Sequence, residues 1–265
     1  MAKTVSVIGC GWLGLPLAER LIERGFTVKG STTREERLSE LRLKQIDSAV
    51  LDLRTTPFQT VPKNLVDCDI LVITIPFKRT LEDPYFYLDQ IRHLLNAAVQ
   101  AGVTQIIFSS STAVYPKDDA THNENSRIDA GDRAQALAAV ERLLLDTVTC
   151  QTTILRFGGL FGPGREPGRF FSKKATITGG DTPVNLIHLD DCLGIIEALI
   201  DRGVPNTVYN AVSPDHPSRK DFYSKEAAKG DYALPAFIAP HDGEFKLVCS
   251  QKLQDELNYT FKVPL

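Results

Sequence analysis

Short apolar runs alternate along the chain with stretches whose apolar residues recur every three or four positions. Val5 to Ile8 reads as a buried strand, and Leu13, Leu17 and Leu21 then fall on one helical face, closed by Gly25. Thr27 to Lys29, Ser48 to Leu51 and Ile70 to Ile75 follow as strands, with a short helix at Leu38 and Leu41 after the first of them. Phe86, Leu88, Ile91, Leu94, Leu95 and Ala98 mark a longer helix that Gly102 ends, and Gln105 to Ser109 is a further buried strand. Strands without polar alternation are those a parallel sheet needs when helices cover both of its faces. The pattern predicts an α/β chain with a doubly wound parallel sheet.

The second half is less regular. Thr152 to Arg156 reads as a strand, and FGGLFGPGREPGRFF then interrupts the pattern for more than a dozen residues, a length that marks a functional or mobile loop. VNLIHLDD predicts a strand running into a helix capped by Asp190 or Asp191, Thr207 to Asn210 another strand, and Ser250 the cap of a last helix. This divides the chain into a sheet domain over residues 1–157 and a smaller mixed lobe over 158–265 that returns strand to the main sheet.

Composition narrows the class of partner. A 265-residue chain with 43% apolar residues buries a sizeable core, and a formal charge of -3 with scattered Lys and Arg offers no basic stripe for nucleic acid and no polybasic segment for a membrane. Small-molecule partners are favoured, with monomer and homodimer both open. The five cysteines are far apart and never in CxxC, so neither a disulfide framework nor a metal site is indicated. The amino terminus enters a strand directly and no apolar run approaches a membrane span, so a cytoplasmic protein is expected.

The chemistry begins at Gly9-Cys10-Gly11-Trp12-Leu13-Gly14, between the first strand and the first helix. Gly9 permits the tight turn, Gly11 lets a pyrophosphate approach the backbone, and Gly14 lets helix and strand pack closely, while the helix start offers N–H groups and a positive dipole end. Trp12 and Leu13 complete this cofactor loop, Trp12 as a packing aromatic. The second strand decides which dinucleotide is held. An Asp or Glu there holds the ribose 2′-OH of NAD, but this chain has Ser31, Thr32, Thr33 and Arg34, hydroxyls and a guanidinium that suit the 2′-phosphate of NADP. NAD stays open, because Arg34 is also read as the start of a solvated helix with Glu35 and Glu36.

GCGWLG, IIFSSSTAVYP, LRFGGLFGPG and NLIHLDD, in this order, resemble the atypical and extended short-chain dehydrogenase/reductases, the NAD-dependent epimerase/dehydratase-like families, and within them the YeeZ-like subgroup. The resemblance spans nearly the whole chain. It implies a seven-stranded Rossmann sheet with a small C-terminal substrate lobe, an adenine contact at Asp52 and Leu53, and cofactor contacts at Thr74, Ile75 and Pro76. The family's chemistry uses a Ser, then the Tyr and Lys of YxxxK. The Lys lowers the Tyr pKa and orients the ribose, and the Tyr exchanges a proton with the substrate oxygen that the Ser holds as hydride moves.

Ser111 matches the family serine. With Glu141 matched to the glutamate after YxxxK, the tyrosine position falls on Arg133 and the lysine position on Leu137, and none of the seven tyrosines has a lysine four residues later. The glycine motif also departs, with Ile8 where short-chain enzymes carry the first glycine of GxxGxxG. Arg133 cannot donate a proton in the ordinary way, but it can bind an anion or a developing oxyanion; it is equally read as a solvated first-turn residue. Tyr115 is the phenol nearest Ser111 along the chain, and is read either as a substitute acid or as a packing aromatic. Arg165 and Arg169 can hold an anionic substrate group, or belong to a solvated loop. His188 fits a strand end, as a structural histidine or a site residue.

Two functions follow. One is an NADP(H)-dependent oxidoreductase or epimerase/dehydratase-like enzyme with Ser111, Tyr115 and Arg133 as candidate reacting groups. The other is a cofactor-binding sensor or partner-binding protein without chemistry.

Overall fold

The computed structural model describes residues 3–78, 81–172, 175–230, 232–238 and 245–265. Seven strands form the central parallel sheet: β1 (Thr4–Ile8), β2 (Thr27–Thr32), β3 (Asp47–Val50), β4 (Ile70–Ile73), β5 (Gln105–Ser111), β6 (Gln151–Phe157) and β7 (Thr207–Ala211), in the order β7-β6-β5-β4-β1-β2-β3. All four residues of β4 are buried, as apolar runs without alternation require. The helices are α1 (Gly14–Glu23), α2 (Leu38–Leu43), α3 (Lys63–Val66), α4 (Phe86–Gln100), α5 (Asp132–Leu145), α6 (Leu189–Arg202), α7 (Arg219–Lys229) and α8 (Gln251–Leu257). Spacing built them: Gly14, Leu17, Ala18 and Leu21 are the buried face of α1, and Ile91, Leu94, Leu95 and Ala98 lie on that of α4.

The chain forms two compact units. The first takes residues 1–110, 130–155 and 196–208, and the second takes 111–129, 156–195 and 209–265, so each is assembled from three separated segments. The first unit holds the strands β1 to β4 and helices α1 to α5. In the second, Gly159–Phe161 pairs in parallel with Leu186–His188, Ala236–Ile238 with Thr176–Thr178, and Leu247–Val248 with Thr121–His122. Its apolar cluster is Phe161, Val184, Leu186, Phe222 and Tyr223, against which Val263 and Leu265 pack.

Two expected caps differ. Asp190 and Asp191 lie inside the first turn of α6, where the Asp190 N–H donates to His188 Nδ1 at 3.2 Å. The buried Asp191 carboxylate instead accepts from Tyr259 Oη at 3.0 Å, Lys262 N at 2.7 Å and Val263 N at 3.2 Å. Ser250 stands at the N-cap of α8 without a side-chain cap bond. The Gly/Pro-rich loop is packed rather than free-standing. A Cβ on Gly168 would meet Glu226 O at 2.8 Å, and Phe171 sits edge-on to Tyr223 at 4.7 Å.

Candidate functional site

The turn from β1 into α1 is held by its neighbours on both sides. Gly9 has φ +109°, a conformation that side chains rarely adopt, and its N–H donates to Ser31 Oγ at 2.9 Å. The Cys10 N–H donates to Ser31 O at 2.8 Å, and Thr74 Oγ1 donates to Gly9 O at 2.8 Å. Ser31 is buried, and its hydroxyl oxygen fixes the glycine turn by accepting from Gly9, which leaves the hydroxyl hydrogen to donate. Thr74, expected as a cofactor contact, is likewise a brace of the turn.

The turn fits a dinucleotide on three grounds. A Cβ on Gly11 would meet only Gly9 O, at 3.9 Å, so the face a pyrophosphate would approach is open. A Cβ on Gly14 would lie 2.3 Å from Gly9 O, so that glycine is demanded by packing. Helix α1 has neither a capping side chain nor an acidic residue in its first turn, which suits an anion at its positive end. Leu13 at the N-cap is buried and Trp12 half-buried. The Cys10 thiol is pushed up to about 12 by burial against the lowering influence of Arg37, and so is inert at neutral pH.

After β2 the two arginines differ. The Arg34 side chain is 61% exposed and lies 3.9 Å from Glu36, and its N–H donates to Thr32 Oγ1 at 3.3 Å. Thr33 is exposed. Arg37 turns inward, donating to Cys10 O at 2.9 Å while pairing with Glu40 at 3.1 Å. Sequence reading missed Arg37. Its signal was its place one turn beyond Arg34, since a short helical turn, Glu35–Arg37, follows β2.

The remaining positions expected to meet a cofactor lie just beyond the ends of β3 and β4. Asp52 is bonded to Arg54 at 2.5 Å, and the guanidinium holds its carboxyl below the usual range. Leu53 is buried and its carbonyl accepts from Gln90 Nε2 at 2.6 Å. Ile75 O accepts from Tyr87 Oη at 2.7 Å, which fixes the backbone beside the exposed Pro76. Arg133, at the start of α5, donates to Leu81 O at 2.9 Å and Lys78 O at 3.3 Å, and its guanidinium lies 6.0 Å from the Phe77 ring centre. It is therefore neither loose in solvent nor aimed with all five donors at a ligand. Leu137 fills the lysine position as a core residue, 1% exposed. One turn on, buried Glu141 accepts from Ser110 Oγ at 2.5 Å.

The second unit holds Ser111 and Tyr115. Ser111 caps the short turn Thr112–Val114, its Oγ accepting from Ala113 N at 3.1 Å, and keeps its hydroxyl hydrogen for another acceptor. Tyr115 is 2% exposed. Its hydroxyl donates to Asn210 Oδ1 at 2.8 Å and accepts from Arg156 Nη1 at 2.7 Å, and its ring stacks on His122 at 5.3 Å. Burial raises the phenol above its ordinary range, although Arg156 opposes the shift. Its hydroxyl hydrogen and one lone pair are thus engaged inside the unit, as the packing reading of Tyr115 expects. His188 contacts Phe161 edge-on at 5.1 Å and Asp190 at 3.3 Å, the arrangement of a structural histidine. Arg165 is held in the loop by its backbone pairing with Gly162, and desolvation lowers its pKa; Arg169 is exposed and 3.7 Å from Glu166. Among the described residues no cluster of three metal-ligating side chains occurs and no helix is long and apolar enough to cross a membrane.

Comparison with known proteins agrees with this geometry. A family profile described as NAD(P)H-binding matches residues 9–186. Protein YeeZ of Escherichia coli K12 is 35% identical over 268 residues, covering 99% of this chain and 97% of its own. A short-chain dehydrogenase/reductase superfamily protein of Agrobacterium tumefaciens, solved with bound NAD, superposes with a TM-score of 0.78 at 15% identity, covering 98% of this chain and 93% of that one. UDP-glucuronic acid 4-epimerase of Bacillus cereus, in complex with NAD, does so with a TM-score of 0.77 at 19% identity, covering 98% and 94%.

Proposed function

This chain belongs to the NAD(P)H-binding family, and from that premise we propose that it is an NADP(H)-dependent enzyme of the epimerase/dehydratase-like kind acting on a small, anionic hydroxyl or carbonyl compound. The observation that carries the cofactor half is the glycine turn: open over Gly11, closed by packing at Gly14, and set at the uncapped start of α1. Preference for the phosphorylated dinucleotide is supported by the run from Gly30 to Arg34, which has no carboxylate to repel a 2′-phosphate, and by two guanidinium groups, Arg34 and Arg37, within one helical turn.

The bound nicotinamide would supply the hydride acceptor or donor. Ser111 would donate its hydroxyl hydrogen to the substrate oxygen, one of its two lone pairs being already engaged by Ala113 N–H. Arg133 would steady the segment after β4 through the carbonyls of Lys78 and Leu81, and from there supply positive charge. Arg165 and Arg169 would meet an anionic group of the substrate.

Titration by NADPH and NADH fluorescence tests the cofactor reading. NADPH binds more tightly, and Arg34→Ala or Arg37→Ala narrows the gap by ~1 to 3 kcal/mol, the scale of a charged hydrogen bond. Equal affinities, or a preference for NADH, overturn the NADP assignment. In a screen of anionic carbonyl and hydroxyl compounds, sugar nucleotides included, Ser111→Ala lowers turnover while leaving cofactor affinity unchanged. Unchanged turnover removes Ser111 from the chemistry.

A further inference from the structure

Lys246 lies in the second unit, and its backbone is fixed on both sides. Asn185 Nδ2 donates to Lys246 O at 2.7 Å while Asn185 Oδ1 accepts from Val248 N at 2.8 Å. One residue earlier, Phe245 N donates to Asp119 Oδ1 at 3.2 Å, and Phe245 O accepts from Asp119 N at 3.1 Å. A lysine stem anchored in this way delivers its ammonium to one place. That place is the serine turn, where Nζ donates to Thr112 O at 2.7 Å and to Tyr115 O at 2.6 Å. These carbonyls bracket the turn that Ser111 caps, and Thr112 O also accepts from Tyr115 N at 3.2 Å.

We propose that Lys246 is a positioning residue for Ser111: its ammonium clasps both ends of the turn Thr112–Val114, sets the direction of the serine hydroxyl, and loosens its hold as the charge that strengthens both bonds is lost. The proposal rests on reading Ser111 as the group that meets the substrate. No carboxylate is hydrogen-bonded to this ammonium among the described contacts; two peptide dipoles receive it. The charged groups around it are Lys117, of the same sign, and Asp129 and Asp118, of opposite sign; burial, with Lys117 acting in the same direction, outweighs the two aspartates and pushes its pKa down to about 8. Helix α5 carries no lysine, Leu137 standing at the position where the resemblance expects one, and Lys246 brings an ammonium to the carbonyls of the serine turn from a different segment.

The test follows the Ala113 methyl resonance in protein carrying 13C-methyl alanine, identified with Ala113→Ser, from about pH 6.5 to pH 9.5 without cofactor. In the wild type this resonance moves with a midpoint near the value of about 8 given by Lys246. Lys246→Arg keeps its charge over the whole range, so the resonance stays at its low-pH position; Lys246→Met abolishes the titration at a displaced position. A wild-type resonance that does not titrate overturns the proposal, as does a Lys246→Arg protein that titrates with the same midpoint. Should Lys246→Met fail to fold, the arginine variant alone decides. Cofactor affinity is read separately by NADPH fluorescence, so a failed clasp and a failed cofactor assignment are told apart.

Discussion

Substituting Gly11 and Gly14, the last two glycines of the turn, separates the demands of the fold from those of the ligand. In Gly14→Ala the new Cβ would lie 2.3 Å from Gly9 O, 2.9 Å from Thr74 Oγ1 and 3.0 Å from Val7 Cγ1, and the first of these is backbone that cannot rotate aside. Overpacking of this kind costs ~1 to 3 kcal/mol, and a contact so far inside van der Waals distance belongs to the upper part of that range. Alanine's better helix propensity returns about 1 kcal/mol at most. The net loss is ~1 to 2 kcal/mol, or a melting temperature lower by about 2 to 8 °C for a chain of this size. Gly11→Ala differs in sign. Its Cβ meets only Gly9 O at 3.9 Å, and Gly11 is not among the residues of positive φ, so the apo protein keeps its stability or gains ~0.4 to 1 kcal/mol from a stiffer unfolded chain. The methyl would stand where the pyrophosphate approaches, and losing one charged hydrogen bond there weakens NADPH by about 10- to 100-fold. Thermal melts of the apo proteins and fluorescence titrations supply the two readouts. The reasoning is refuted by Gly11→Ala protein that binds NADPH as the wild type does, or by Gly14→Ala protein that melts at the wild-type temperature.

Three further outcomes are expected. Tyr115→Phe leaves buried Arg156 and Asn210 each short of a partner, at ~1 to 3 kcal/mol, so urea unfolding shifts to lower concentration; loss of turnover at unchanged stability would restore the phenol as a reacting group. Leu137→Lys, alone or with Arg133→Tyr, places an ammonium at a site 1% exposed and lowers the melting temperature by more than about 5 °C, and a variant as stable as the wild type would mean that the ammonium reaches water or Glu141. The Lys246 pKa is depressed in the folded state, so between about pH 8 and the ordinary lysine value of 10.5 the unfolded chain binds the extra proton, and the unfolding free energy rises with pH through that window. That gain is absent in Lys246→Met, and an identical pH slope in both proteins would contradict it.

Much of the first unit was legible because its signals are local. The runs Val5 to Ile8 and Ile70 to Ile75 became β1 and β4, and the period at Leu17 and Leu21 became the buried face of α1. Strand ends were less legible: β2 runs on through Thr32, and the run from Ile70 stops at Ile73, where Thr74 turns its hydroxyl to the glycine loop. At the site, residue type was readable and direction was not. Ser31 carries a hydroxyl suited to a phosphate, and nothing in its local sequence says that its oxygen also accepts from the N–H of Gly9. Arg37, one turn past Arg34, faces the turn while Arg34 faces water, a difference that depends on where the short helical turn begins. Lys246 gave no signal, since its partners at Thr112 and Tyr115 lie 134 and 131 positions away.

Those separations also order the events of biosynthesis. Strands β1 to β4 all come from the first 73 residues and can pair while the rest of the chain is still being made. Lys246 follows Thr112 by 134 positions, which at about 5 to 20 residues per second is roughly 7 to 27 s of synthesis. Over that interval the serine turn and the strand Thr121–His122 exist without the segment that ties them down, and near its end the Asn210 side chain waits a further 39 residues for its acceptor at Cys249 O. The second unit is thus completed only when its last segment has been made.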